Sequence, residues 1–126
     1  MTDTPLSLLL LTGTHERAHY AFMLAVGAAA IGRPVTLFAS NDGCRALARD
    51  WSGLDDAARD GAIRARGVAG LDELRAAAAE LEVRLLVCES GLLMAGLPED
   101  GLLPSVEVSG IPAFLAAAGA GAVITL

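Results

Sequence analysis

Apolar runs alternate with longer helix-like stretches along this chain. Four runs of four to six largely apolar residues, and one shorter extended piece, are separated by segments long enough to hold helices: Leu6 to Leu11, Val35 to Ala39, Val83 to Val87, Val106 to Val108 and Ala122 to Leu126. Strands of a parallel sheet that is covered on both faces have this continuous apolar pattern. The pattern predicts an α/β fold of the flavodoxin-like or Rossmann-like kind. We expect a three-layer α/β/α sandwich with a mostly parallel five-stranded sheet.

The segments between these runs carry helix start and stop signals. Thr14 is a suitable N-cap, and Gly32-Arg33-Pro34 is a stop signal for the helix between them. Ser52 to Gly67, rich in Asp, Arg and Gly, is the least regular part and is predicted to be a surface excursion. The remaining predicted helices run from Cys44 toward Trp51, from Gly70 to Leu81, from Cys88 to Ala95 and from Ile111 to Ala118.

Length and composition limit the functional classes. The 126 residues are 54% apolar and 19% charged, which is typical of a single folded domain spanning residues 1–126. All nine basic residues are arginine, so enzymes that need a Schiff-base or phosphate-binding lysine are excluded. A net charge of −6 and an aromatic content of 4% argue against nucleic-acid binding. We expect no nucleic-acid partner and no bound cofactor.

No stretch approaches the roughly 20 consecutive apolar residues that a membrane-spanning helix needs. The apolar residues before and after positions 15–19 are separated by His15, Glu16, Arg17 and His19. The start, Met1-Thr2-Asp3-Thr4, is acidic and lacks the features of a secretory signal. These observations predict a cytoplasmic protein that does not contact a membrane, in which the two cysteines are free thiols.

Cys88 is the strongest candidate for a catalytic residue. It ends the run Val83-Arg84-Leu85-Leu86-Val87 and precedes Glu89-Ser90-Gly91, where a short helix is predicted. Open α/β sheets present their reactive groups at this carboxyl edge. Backbone N–H groups at the start of a helix favour a thiolate, the form of cysteine that accepts and passes on sulfur. The alternative is that Cys88 is a small buried apolar residue.

Cys44 is a possible second thiol at the same edge. It follows the second predicted strand in the segment Asp42-Gly43-Cys44-Arg45. Whether Cys44 and Cys88 approach each other depends on strand order, and a disulfide requires Cα atoms within about 7 Å. Packing at the start of a helix is the alternative role for Cys44.

The segment His15-Glu16-Arg17-Ala18-His19 matches HExxH, the zinc-binding pattern of metallohydrolases. The chain has no other histidine to serve as a third ligand, although Asp42 is a candidate carboxylate ligand. We therefore expect no metal site, and a zinc site at His15 and His19 is the least favoured hypothesis. The other interpretations are a supporting or ligand-binding role for His15, His19 and Glu16 beside Cys88, or a solvated first turn of the helix.

Several of these segments resemble the DsrE/DsrF-like family, which includes the TusD-type sulfur relay subunits. The similar segments are the first strand and helix, Pro34 to Ala39, Leu85-Leu86-Val87-Cys88, and the tail from Leu102 to Phe114 with Ala122 to Leu126. The Val106-Glu107-Val108-Ser109-Gly110 part of the tail resembles the family's VEVGG ending. Ser109 stands where a glycine is common, and neither Cys44 nor the HExxH-like segment belongs to the family pattern.

The resemblance implies a DsrE/F-like domain that forms trimers or hexamers and carries persulfide sulfur on one cysteine, with Cys88 at the matching position. Its partners would be sulfur donor and acceptor proteins. The function we expect is that of a small oligomeric sulfur carrier, similar to a sulfurtransferase. The alternative is a non-catalytic oligomeric module of the same fold that binds a ligand or a partner protein.

Overall fold

Five short strands pair side by side, and all four pairings are parallel. The structure is a computed structural model that describes residues 4–126, so the segment Met1-Thr2-Asp3, used above against a secretory signal, lies outside the described residues. The sheet order is β4-β3-β2-β1-β5. The strands are β1 (Leu6–Leu10), β2 (Val35–Ala39), β3 (Arg84–Cys88), β4 (Glu107–Ser109) and β5 (Ala122–Thr125). The predicted parallel α/β fold is confirmed.

The described residues form five α-helices: α1 (His15–Ala30), α2 (Arg59–Ala65), α3 (Leu71–Glu80), α4 (Glu89–Ala95) and α5 (Ile111–Ala118). Two 3₁₀ helices cover Asn41–Leu47 and Glu99–Gly101. Thr14 caps α1 as predicted, because its side-chain oxygen accepts a hydrogen bond from the Arg17 N–H at 3.3 Å. Within residues 4–126, no helix combines the length and the apolar character needed to cross a bilayer.

The two faces of the sheet bury different sets of side chains. Successive residues of a strand point to opposite faces, so alternate positions share a face. Leu8, Leu10 and Leu37 belong to the larger core, which includes buried residues of α1 and α3. Phe38 and Leu86 belong to a smaller cluster on the other face, completed by residues that include Phe114 of α5. This arrangement places the termini of β1, β2 and β3 between the two helical layers.

The segment after β2 differs from the prediction. We expected a helix from Cys44 toward Trp51, whereas a 3₁₀ helix covers Asn41–Leu47. The Gly43 N–H donates to the carbonyl of Leu11 at 3.2 Å, and a Cβ on Gly43 would overlap the backbone of Leu10. The chain therefore turns directly against the end of β1, which favours the tighter 3₁₀ geometry.

The prediction of an irregular Ser52 to Gly67 excursion was wrong for its second half, which forms α2. This helix has no apolar stripe, and its only buried residue is Asp60. The Asp60 carboxylate accepts hydrogen bonds from His15 Nε2 and from the Leu71 N–H, both at 2.8 Å. Contacts with residues distant in sequence thus stabilise a helix that local hydrophobic periodicity does not indicate.

Candidate functional site at the carboxyl edge of the sheet

The candidate residues lie at the carboxyl edge of the sheet, as predicted. Cys88 is the last residue of β3, Cys44 lies in the 3₁₀ helix after β2, and His15 is the first residue of α1 after β1. Parallel strands end at the same side of a sheet, so three chain segments far apart in sequence meet there. The structure brings these residues to one edge but gives each a different environment.

Cys88 is more buried than the sequence suggested. The residue is 5% exposed and packs with Phe38, Leu86 and Phe114, although Glu89 and Ser90 directly after it are exposed. Its position in β3 has the same parity as Leu86, so its side chain points to the face that α5 covers. The rings of Phe38 and Phe114 stack with centroids 4.7 Å apart. The expected exposed turn is therefore present, while the thiol lies just beneath it.

Two serines lie next to Cys88 in the sheet. The β3–β4 register pairs Cys88 with Ser109, and the β2–β3 register pairs Ala39 with Val87. Ser40 continues β2 in an extended conformation, with φ −141° and ψ 164°, which places it beside Cys88 on the other side. Across the ends of the adjacent strands β2, β3 and β4, the residues therefore lie in the order Ser40, Cys88, Ser109.

The start of α4 closes over Ser40. A Cβ added to Gly91 would lie 2.9 Å from the Ser40 Cα and 2.5 Å from the Asn41 nitrogen. Only a glycine allows the two backbones to approach this closely. Gly91 therefore fixes the first turn of α4 against the end of β2.

Cys44 is completely buried, and its environment disfavours the reactive thiolate form. Its Sγ donates to the carbonyl oxygen of Ala39 at 3.7 Å. The pKa of the Cys44 thiol is raised to about 12. Burial is the largest cause, and the nearby Cys88 sulfur is the second. Cys44 belongs to the core on the α1 and α3 side, whereas Cys88 belongs to the cluster on the α5 side. The geometry thus supports the packing role that was the alternative for Cys44.

The two histidines are buried, so the prediction of a solvated first turn is wrong for both. His15 is 0% and His19 is 4% exposed, while Glu16 between them faces solvent. The Nε2 atom of His19 lies 2.8 Å from the carbonyl oxygen of Ala69, and the two imidazole rings stack 5.5 Å apart. These contacts hold the first turn of α1 against the segment before α3.

His15 links Asp60 to Arg59. Its Nε2 lies 2.8 Å from Asp60 Oδ1, and Arg59 Nη1 lies 3.1 Å from its Nδ1. Because the guanidinium is always a donor, Nδ1 accepts and Nε2–H donates to the carboxylate. Burial raises the pKa of Asp60, but hydrogen bonds from His15 and from the Leu71 N–H lower it more, so it lies below its usual value.

These contacts give no support to a zinc site at His15 and His19. Both Nε2 atoms, which would coordinate a metal in an HExxH site, already contact protein oxygens. Among residues 4–126, no three histidine, cysteine, aspartate or glutamate side chains come together as a metal-binding group. Asp42 instead lies 3.6 Å from Arg45. The HExxH-like segment has a structural explanation in the contacts between α1, α2 and α3.

Sequence reasoning missed Asp60, Arg59 and Arg75 as organising residues. Arg75 lies on α3 and is 8% exposed. Its Nη1 and Nη2 atoms donate to three backbone carbonyls at the end of the first 3₁₀ helix and just after it: Ala46, Ala48 and Arg49. Burial lowers the pKa of Arg75. Its position in an alanine-rich helix gives no sequence signal for this role, because its partners are defined only by the fold.

An open cavity of about 340 Å³ lies at the same edge, beside the ends of β1 and β2. Its wall combines backbone of the β1–α1 turn with several polar side chains: Thr12, Thr14, Asn41, Asp42, Arg45 and Asp55. A larger apolar cavity of about 420 Å³ lies between α3 and residues 103–105, away from the ends of β1 and β2. The edge cavity is therefore the one that a ligand at the strand ends would use, although neither cysteine lines it.

Comparison with known proteins connects this edge to a family. Among solved structures, the YchN protein from E. coli matches with a TM-score of 0.74 at 12% identity, covering 98% of this chain and 99% of that one. The protein of unknown function MTH1491 from Methanobacterium thermoautotrophicum matches with a TM-score of 0.64 at 18% identity, covering 98% and 100%. At identities this low, the two structural matches establish a shared fold and nothing more. No curated protein sequence matches. The family sequence model of the DsrE/DsrF-like family matches residues 7–126, and the chain belongs to that family.

Proposed function

We propose that this protein is a cytoplasmic sulfur carrier that holds persulfide sulfur on Cys88, in the manner of the TusD-type subunits that the sequence resembles. The observation that carries the proposal is the position of Cys88 as the last residue of β3 in a DsrE/DsrF-like domain. The family often takes part in sulfur relay. The buried Cys44, with its pKa raised to about 12, is a poor competing nucleophile.

The proposed reaction needs no external oxidant. The Cys88 thiolate attacks the outer sulfur of a donor persulfide, a new S–S bond forms, and the donor's inner sulfur leaves as a thiolate. Cys88 then carries –S–SH. In the second step an acceptor thiolate attacks the outer sulfur, and Cys88 leaves as a thiolate. The donor and the acceptor are partner proteins.

Access to Cys88 requires a local opening of the α5 side. The thiol is 5% exposed in the single chain, and Phe114 of α5 packs against it. Segments with few buried contacts open at low free-energy cost. Most of α5 is exposed, with Phe114 and Ala118 as its buried residues, so we propose that donor docking displaces α5 or the turn at Gly110.

A homo-oligomer, a trimer or hexamer, is the second part of the proposal. All four residues of β5 are exposed, and β5 is an edge strand paired with β1. Large apolar side chains are exposed on α4, α5 and β5: Leu93, Met94, Ile111, Leu115, Val123 and Ile124. Helix α5 and the edge strand β5 carry no charged residue, and exposed apolar surface of this kind is typical of a subunit interface.

Light scattering tests the assembly. We expect Leu115→Glu and Ile124→Glu to lower the measured mass toward that of a monomer. Met23→Glu is a matched control, because Met23 is also exposed and apolar but lies on α1. A wild-type protein that is monomeric at all concentrations would exclude the proposed oligomer.

Persulfide loading tests the carrier function. We expect incubation with glutathione persulfide to add about 32 Da to the intact chain, with the added sulfur on Cys88 by peptide mapping. Cys44→Ala should load as the wild type does, and Cys88→Ala should not load. Loading that is absent, or that persists in Cys88→Ala, contradicts the proposal.

The alternative function is a non-catalytic binding module, and the cavity at the strand ends favours it. A cavity of about 340 Å³ with polar walls is large enough for a small ligand. Under this alternative Cys88 takes up no sulfur, and substitutions of Asp42 or Arg45 change ligand or partner binding. The persulfide experiment therefore separates the two functions.

A further inference from the structure

The neighbours of Cys88 in the sheet are both hydroxyl-bearing residues. The β3–β4 register sets Ser109 directly beside Cys88, and Ser40 extends β2 on the other side. Paired residues in adjacent strands point to the same face, and adjacent strands lie about 4.8 Å apart. Cys88 and Ser109 thus point to the same face of the sheet, and Ser40, which continues β2 with its hydroxyl against Gly91 of α4, lies on the other side of Cys88.

The packing of neighbouring positions supports this orientation. Val87 and Val108, which are paired in the register, both pack with the core on the α1 and α3 side. Cys88 lies in the cluster on the opposite face, and Ser109, one residue after Val108, points to that face as well. The serine hydroxyl and the thiol therefore lie on the same side of the sheet.

The Ser109 hydroxyl is available to donate a hydrogen bond. It donates to the carbonyl oxygen of Gly110 over 3.5 Å, a long distance for a hydrogen bond between two oxygens. Rotation about the side-chain torsion directs the same proton toward the adjacent strand. On the other side, Ser40 is 9% exposed and held beneath Gly91 of α4, so its hydroxyl is confined near the end of β3.

We propose that Ser109 and Ser40 are positioning residues that donate hydrogen bonds to the Cys88 sulfur when it is a thiolate. This inference rests on the proposed function, because it concerns the reactive form of the same cysteine. Cys88 is the N-cap residue of α4, but its side chain accepts no hydrogen bond from the first turn of that helix. Helix α5 has no titratable side chain, Glu89 and Glu107 are acidic, and Arg84 is paired with Glu107 at 3.4 Å.

The surroundings therefore make the hydroxyls the main local donors to the sulfur. Cys44, whose sulfur is also near Cys88, is a neutral thiol at neutral pH, since burial raises its pKa to about 12. A hydroxyl supplies a proton to the sulfur without introducing a charge into the apolar contact with Phe38 and Phe114. This combination suits a thiol that is buried under aromatic rings and yet has to ionise.

Alkylation kinetics at two pH values test the inference. Removing one donor makes the thiolate harder to form but more nucleophilic once formed, because nucleophilicity rises with basicity at a slope of about 0.4–0.5. If the lost bond displaces the pH–rate profile by about one pH unit, we expect Ser109→Ala to react about 3-fold more slowly at a pH where the wild-type rate still rises with pH, and about 3-fold faster at a pH where both rates have levelled off. Ser40→Ala should change in the same two directions.

Three controls separate hydrogen bonding from access and folding. Ser109→Thr keeps the hydroxyl and should restore the wild-type profile. Ser7→Ala removes a buried hydroxyl near the opposite end of the sheet and should leave Cys88 unchanged. Iodoacetamide labelling read by peptide mass spectrometry also reports Cys44, whose slow rate should stay constant unless the fold opens.

The outcomes distinguish this inference from the proposed function. A Ser109→Ala profile that matches the wild type, or that changes in the same direction at both pH values, overturns the role of Ser109. If Cys88 alkylates with the expected crossing profile but takes no sulfur from glutathione persulfide, the carrier function fails and the positioning role stands. A Cys88 that resists iodoacetamide at both pH values in the wild type overturns both.

Discussion

Removing the Cys44 thiol should abolish a loss of stability at alkaline pH. The folded chain holds this thiol at a pKa of about 12, against a reference value of 9.0, because the site is buried. A raised pKa in the folded state means that the stabilisation is complete below pH 9 and is lost as the pH rises toward 12. The perturbation is Cys44→Ala, compared with the wild type across this range.

The magnitude follows from the displaced titration. Each pH unit between the unfolded and folded pKa values costs about 1.4 kcal/mol, so wild-type stability should fall by about 2 kcal/mol between pH 8 and pH 10.5 from this group. The chain has no lysine and one tyrosine, Tyr20, which is 54% exposed. Apart from Cys88, for which Cys88→Ala is the control, few other groups titrate in this range, and the contribution of Cys44 is unusually easy to isolate.

Urea unfolding with a reductant present measures the effect. At pH 8, Cys44→Ala should be about 1 kcal/mol less stable than the wild type, because a buried sulfur is lost. By pH 10.5 the order should reverse, since the variant lacks the titration. Burial also lowers the pKa of Arg75, but this residue is present in both proteins and does not affect the difference between them. A difference between the two proteins that stays constant from pH 8 to pH 10.5 would refute the reasoning, and Cys88→Ala should retain the alkaline loss.

Two further substitutions test the packing around the site. Gly43→Ala should destabilise the fold by about 2 kcal/mol in urea unfolding, because its Cβ would overlap the backbone of Leu10, whereas Gly27→Ala, with open space around it, should stabilise α1 by up to about 1 kcal/mol. Asp60→Asn should cost about 2 kcal/mol at pH 7, and this cost should shrink as the pH falls through the lowered pKa of Asp60; a cost independent of pH would contradict the hydrogen-bonding role.

The positions of the strands, the bounds of α5 and the cap of α1 could be predicted, because each depends on residues that are close together in the sequence. Helix α5 was expected from Ile111 to Ala118 and has those bounds, and the cap at Thr14 is present. Helix α2 could not be predicted in this way. Its stability depends on Asp60 reaching His15, 45 residues away, and the N–H of Leu71.

The same distinction applies to the candidate site: the position of Cys88 could be predicted from the sequence, but its surroundings could not. The order of residues in the chain places Cys88 at a strand end, and an apolar strand followed by a short helix is sufficient to indicate this position. The exposure of its thiol depends on strand parity and on the packing of α5, which places Phe114 in the same buried cluster as Cys88. Likewise, the HExxH-like spacing is visible in the sequence, whereas the partners that occupy both imidazoles come from other segments.

By itself, the sequence determined that this is a parallel α/β domain with a cysteine at the end of its third strand, because hydrophobic periodicity and capping act over a few residues. The tertiary structure alone decided which thiol is sealed in the core, which one lies beneath α5 between Ser40 and Ser109, and why the two histidines are buried. Those properties arise from strand order, register and long-range hydrogen bonds, and these depend on how distant segments pack together.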